Sequence, residues 1–460
     1  MNKNICLVCA IAIIFILFNY DSPNYICNLT TVGIVIILFF FTKEQINDLA
    51  NIHFRPIHLF LISYCVVFFQ IPIDYLCGYD YNYYATGNIL DMPVCVSLAS
   101  LGLISFLVGY FIKPYSSISA NQFINYSKSA HPFAILTTVF IIVLLLTTPL
   151  SILMGGYSND LLKAGGLYNY ISAWLNLFVA LFFVQHTLVH RNSSLVGCSI
   201  KDFIISVGKL QNINLLLITF VILNIGDRGP IIVFAISYYL SYIVVSRKFL
   251  SRKTTFVILF VSSTVFSFLG ETKNQRDNNT IFDRIEAVLN DRSTTENKES
   301  ISPLTQELAT SYNCLSYSVM TVPEREDYYY GKHQLYYITS VIPFVSSFIK
   351  IGQPSSARLT EIIVGPDALF GTGTTILADF YLDFGIWGVL ICMFVFGYYI
   401  RQFEYILFCN SSPTLFLYTI AFFISSHLFY IARSPVLTNL KYAIWGFGIL
   451  YFYNKIHNKK

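Results

Sequence analysis

Apolar runs recur along nearly the whole chain, parted by short polar breaks, and they predict twelve membrane spans. These lie at residues 5–20, 30–42, 57–73, 93–112, 132–150, 170–189, 211–225, 229–246, 255–270, 374–400, 414–431 and 441–454. A helix needs about 20 apolar residues to cross the hydrocarbon core, where a backbone segment must satisfy its own polar groups. The expected fold is therefore an all-α polytopic integral membrane protein of about twelve transmembrane helices.

Lysine and arginine set the orientation, because cytoplasmic loops are enriched in them. With the N-terminus inside, sixteen fall in inward segments and four in short outward loops: Lys163, Arg228, Arg433 and Lys441. Both termini are expected to face the cytoplasm. One connection is long: residues 271–373 face outward and hold the other nine basic residues. The organisation is thus a membrane domain of about nine spans (1–270), a long outward loop (271–373) and a membrane domain of about three spans (374–460). Within the loop, "SPLTQELATSYNCLSYSVM" predicts an amphipathic helix, and "LYYITSVIPFVSSFI" is apolar enough for the interface.

Composition agrees with this reading and removes other classes. The 460 residues are 55% hydrophobic, 17% aromatic and 12% charged, far from soluble usage. A net charge of +4, dispersed along the chain, excludes a nucleic-acid partner. Most of the ten cysteines sit in apolar runs, where Cys behaves as a small hydrophobe. Cys6 and Cys9 form a CxxC, but a spanning segment denies it the polar access that metal or redox work needs. The run from Ile5 to Phe18 has no small-residue cleavage site after it and reads as an uncleaved first helix. No internal repeat is evident, which disfavours a transporter built from matched halves.

The residues that carry chemistry gather on the outward side. In "LNIGDRGPIIVF", Gly226, Gly229 and Pro230 are turn chemistry, and Asp227 can pair locally with Arg228. Arg433, in "FYIARSPVL", ends the eleventh span; Arg276 and Arg358 bracket the long loop. Each can serve as a snorkelling anchor, yet several guanidinium forks at one membrane face suit phosphate oxygens, and together they outline a pyrophosphate site. In "FGTGTTILADFYLDFGIWGVL", Asp379 and Asp383 stand i, i+4 on one helix face, costly near a membrane unless they line a polar cavity. Either can act as general base on a sugar hydroxyl, or be a solvated pair. His427 lies about 9 Å deeper than Arg433 along its helix and is a third base candidate or a packing residue. His333 stands among aromatics in the long loop.

Taken in order with the span count, several stretches resemble the O-antigen polymerase (Wzy-type) oligosaccharide repeat unit polymerases. They are "GDRGPII", "IPFVSSFIKIGQPSSARL", "GTGTTILADFYLDFGIWG" and "IARSP". The resemblance implies a bacterial inner-membrane glycosyltransferase working at the periplasmic face. It would pass a growing glycan from undecaprenyl pyrophosphate to a lipid-linked repeat unit, without cofactor or metal. Arg228, Arg276, Arg358 and Arg433 would hold the pyrophosphate, and Asp379, Asp383 or His427 would supply the base. Implied partners are the undecaprenyl-pyrophosphate-linked oligosaccharides, membrane lipids and a chain-length-regulating membrane protein. Two other readings fit the same layout: an O-antigen ligase or related lipid-pyrophosphate-dependent glycosyltransferase, and a lipid-linked oligosaccharide flippase.

Overall fold

The computed structural model describes residues 3–41, 55–79, 89–112, 129–148, 165–191, 195–225, 229–247, 305–342, 345, 352–366, 368, 371–409 and 413–457. Among them every regular element is helical. In chain order these are α1 (Lys3–Phe18), α2 (Ile26–Phe41), α3 (Pro56–Leu76), a 3-10 turn at Ile89–Asp91, α4 (Met92–Tyr110), α5 (His131–Thr147) and α6 (Gly165–His190). There follow α7 (Ile200–Val207), α8 (Lys209–Ile225), α9 (Gly229–Ser246), α10 (Gln306–Ala309), α11 (Tyr312–Thr321) and α12 (Lys332–Thr339). The chain continues through α13 (Ser355–Ile363), α14 (Ile376–Phe408), α15 (Leu415–Ile431) and α16 (Val436–His457).

Helices underlie every expected apolar run except 255–270, which lies outside the described residues. Five are long and apolar enough to cross a membrane: Pro56–Leu76, Ile89–Tyr110, Tyr170–His190, Gly229–Ser246 and Ile376–Phe408. A sixth is reached if α7 and α8, bent by 92°, form one span; four shorter apolar helices lie in α1, α2, α5 and α15. The chain is thus a multi-pass membrane protein. Two features escaped the hydropathy pattern. Gly208 (φ 88°) turns α7 sharply into α8, and Gly385 (φ 63°, ψ −148°) breaks α14 near its start.

The contacts divide the chain into two compact units, Met1–Asn121 with Glu299–Ile444, and Gln122–Lys298 with Trp445–Lys460. The first is organised around α14 lying against α4. Glycine makes that approach possible: a Cβ at Gly397 would stand 2.0 Å from the Phe106 carbonyl oxygen, and one at Gly109 2.0 Å from that of Phe394. Close backbone packing of this kind replaces the hydrophobic drive that helices lack inside lipid. Phe60, Phe106 and Phe396 of α3, α4 and α14 fill the space beside the crossing, with centroids 4.6 to 5.6 Å apart. The far end of the same three helices is closed by buried polar groups. Arg55 (3.0 Å) and Arg401 (3.3 Å) donate to the Tyr110 hydroxyl, which donates to Glu404 Oε2 over 2.5 Å.

In the second unit α6 packs against α5 and α9, and α8 against α5. Trp174 stacks on Trp445 at 5.8 Å, and Asn214 of α8 donates to the Ala134 carbonyl of α5 at 2.9 Å.

Candidate active site

The start of α14 is positioned by the "GTGTT" segment. Thr375 accepts from the Ala378 N–H (3.2 Å) as N-cap, so the chain enters the helix in a fixed direction. Thr372 is held by Thr360 of α13, whose hydroxyl accepts from its N–H at 3.0 Å, and Thr374 accepts from Ser355 at 3.4 Å. The Ile376 N–H donates to the Ala432 carbonyl at the end of α15 (3.3 Å). α13 and the end of α15 therefore meet at one point, the first turn of α14.

Asp379 and Asp383 follow on one face, as their spacing predicts, and both are buried. α12 covers that face. Tyr330 and Gly331 take left-handed backbone (φ 50° and 84°), which aims the first turn of α12 at the Asp383 carboxylate. The His333 N–H (3.3 Å) and Gln334 N–H (3.1 Å) donate to it, so Asp383 satisfies amides that a helix start leaves unpaired. The Gln334 side chain then donates from Nε2 to Asp379 Oδ2 at 2.7 Å. Asp379 Oδ1 is buried and takes no hydrogen bond among the described residues.

The break at Gly385 completes the docking. The Tyr329 and Tyr330 N–H groups donate to the Leu382 (3.0 Å) and Asp383 (2.9 Å) carbonyls beside it. Tyr328 lies so close that a Cβ at Gly385 would meet its ring at 2.9 Å. Beneath, Cys314, Val322, Leu359, Ala378 and Leu382 form a buried apolar cluster with Tyr317, Tyr328 and Tyr329 around it. Each fully buried Leu or Val contributes on the order of 1.5–3 kcal/mol, enough to seat the loop helices on α14.

Two of the four expected arginines flank this cluster. Arg358 of α13 donates to the Tyr329 hydroxyl (2.8 Å), to Glu361 (2.8 Å) and to Glu326. A phosphate at Arg358 must therefore displace a carboxylate. Arg433 stacks over the Tyr430 ring at 5.3 Å and has no ion pair among the described residues. Its chain neighbour Ala432 accepts from the Ile376 N–H at 3.3 Å, which puts the Arg433 backbone beside the first turn of α14. Arg228 and Arg276 lie outside the described residues.

His427 makes no hydrogen bond to the acidic pair among the described residues. Its Nδ1 faces the Phe423 carbonyl (2.8 Å) and the Ser426 hydroxyl (3.1 Å), and its ring lies parallel to that of Phe423. Every one of these partners belongs to its own helix. His333 is instead at the centre: it is buried, its Nδ1 is 2.8 Å from the Gln353 carbonyl, and its ring meets that of Tyr329 at 4.5 Å. A carbonyl only accepts, so Nδ1 carries a hydrogen. Its Nε2 has no hydrogen-bond partner among the described residues. Gln334, Glu326 and Tyr329 were not legible as site residues, because nothing local distinguishes them from other loop positions.

Among the described residues no three His, Cys, Asp or Glu side chains stand together as a metal site. No curated protein and no solved structure matches the chain. A family model does, from residue 3 to residue 460, and on that match the chain belongs to the O-antigen polysaccharide polymerase Wzy family.

Proposed function

We propose that the chain extends a polysaccharide by moving a growing glycan from undecaprenyl pyrophosphate onto the non-reducing end of a lipid-linked repeat unit. The chemistry takes place at the periplasmic face of the bacterial inner membrane, with twelve spans and both termini in the cytoplasm. A chain-length-regulating membrane protein is its partner. Membership of the polymerase family supports the polymer-forming role. The observation that carries the finer reading is the buried Asp379 carboxylate, oriented by Gln334 through one oxygen and unpartnered at the other.

In this reading an acceptor hydroxyl attacks the anomeric carbon of the donor sugar. The new C–O bond forms as the bond to the pyrophosphate oxygen breaks, and that oxygen leaves with the electron pair. The acceptor proton passes to Asp379, with Asp383 holding α12 over the site. Arg433 takes the charge that grows on the leaving group, joined by Arg358, Arg228 and Arg276. His427 remains an alternative base, with less in its surroundings to support it.

The test is complementation of a strain lacking the gene. Wild type restores long surface glycan, whereas Asp379→Asn, present in the membrane at normal level, leaves glycan capped at one repeat unit. Long glycan in the deletion strain itself overturns the polymerase reading. Repeat units stranded on the cytoplasmic side would instead mark a flippase.

A further inference from the structure

A second polar site lies within the other compact unit. A cavity of about 380 Å³ opens where the start of α5, the last turns of α6 and the bend between α7 and α8 meet. These are all ends of apolar helices, so the cavity stands at a membrane edge. α7 runs nearly perpendicular to α8, at 92°, burying Phe203 and Val207 while Ile200, Ile204 and Ile205 stay exposed. A short helix of that pattern lies in the headgroup layer.

Among the described residues the lining holds no acidic residue, and Lys209 is its one lysine or arginine. Lys209 and His131 stand at its rim, with His186 and His190 on the α6 side. Two helix N-termini enter it, those of α5 at Ser129–His131 and of α8 at Gly208–Gln211. The first intrahelical bond of α8 runs from the Asn212 N–H to the Gly208 carbonyl, so the Lys209, Leu210 and Gln211 amides precede the helical ladder. Such ends favour anions, offset in part by the C-terminal turns of α6 and α7 that line the same cavity. Independently of the helix ends, two buried side chains on the cavity wall lack partners among the described residues: both polar atoms of Gln211, 1% exposed, and Nδ1 of His186, 2% exposed. Buried polar groups are left unpaired at a cost of roughly 1–3 kcal/mol each, which a ligand accepting and donating hydrogen bonds removes.

We infer that this cavity binds a phosphate group at the membrane surface, carried by an anionic lipid or free. Lys209 and the α8 amides face the charge, and Gln211 with His186 complete its hydrogen bonds.

The protein is reconstituted in nanodiscs of phosphatidylcholine, alone or with phosphatidylglycerol, as wild type, Lys209→Gln and Gln211→Leu. Native mass spectrometry counts the lipid retained, and thermal unfolding is followed with and without inorganic pyrophosphate. Lys209 is exposed, so its variant folds even if Gln211→Leu does not. A lipid ligand is supported by retained phosphatidylglycerol that falls about fivefold in Lys209→Gln, the effect of one lysine near an anionic surface. A free ligand is supported if pyrophosphate raises the midpoint in phosphatidylcholine and Lys209→Gln lessens the rise, the remainder belonging to the arginine site. Retention and midpoint that are the same in wild type and Lys209→Gln overturn the site.

Discussion

The Gln334 side chain donates to Asp379 Oδ2 over 2.7 Å while its backbone N–H donates to Asp383 Oδ2 over 3.1 Å. One loop residue thus joins both carboxylates of the broken helix. The orientation of Asp379 depends on α12 staying docked, and Asp383 is what caps α12.

From this follows a graded series. Asp379→Asn removes the proposed base and lowers chain extension by about 10²–10⁴-fold, the usual contribution of a general base. Gln334→Ala leaves the carboxylate but frees its rotation, with an expected loss of roughly tenfold, about 1.4 kcal/mol of positioning. Extension is measured on lipid-linked repeat units in membranes with matched protein level. Equal losses for the two variants would show that Gln334 matters for folding rather than for aiming Asp379.

Much of this arrangement was legible before any coordinates, and the part that was not has a common cause. Period and run length located the helices, and the i, i+4 spacing put Asp379 and Asp383 on one face, because both depend on neighbours within a turn. That α12 covers this face depends on residues some fifty positions away, Gln334 against Asp383. The engagement of Arg358 by Glu326, 32 positions apart, is likewise announced by no spacing. Gly385 was visible inside an apolar run and Gly208 just before one, but only the turn of the chain tells a tolerated glycine from one at positive φ.

Acid should loosen the α13 end of the site. The Gln353 amide and then Arg358 hold the Glu361 carboxylate below the usual range. A group depressed in the folded state adds stability above its ordinary value near about 4.3, and that contribution fades as pH falls through the depressed value. Thermal midpoints from about pH 6 to about pH 3 should therefore converge for wild type and Glu361→Gln. A gap that persists unchanged to the acid end would show that the carboxylate's charge contributes nothing there.

The α4–α14 crossing leaves no room for a methyl group. At Gly397 an added Cβ meets the Phe106 carbonyl at 2.0 Å, and backbone cannot rotate aside as a side chain can. Gly397→Ala should cost about 1–3 kcal/mol, the range for overpacking, read as a lowered unfolding midpoint in detergent. Gly33→Ala in α2 is the control, because nothing lies within 4 Å of its added Cβ. If both variants unfold with wild type, the two helices are not in backbone contact.

The buried network at the other end of α14 gives the last prediction. Glu404 is fully buried, accepts from the Ile57 N–H (3.2 Å) and from Tyr110, and stands 3.6 Å from Arg55. Bringing these charges out of water was costly, so the network is worth less than the damage done by halving it. Glu404→Leu alone removes the carboxylate that Arg55 faces directly and Arg401 through Tyr110, and should cost about 3–5 kcal/mol. Arg55→Met with Glu404→Leu together should cost much less than the two single changes added, since apolar groups then fill the same space. Glu404 lies about 28 Å past the break at Gly385, at roughly 1.5 Å per residue, and Asp379 lies on the other side of that break. Whatever protein remains folded should accordingly extend glycan at the wild-type rate. Strictly additive stability losses would dissolve the coupling, and a rate defect in the folded fraction would tie this end of α14 to the chemistry at the other.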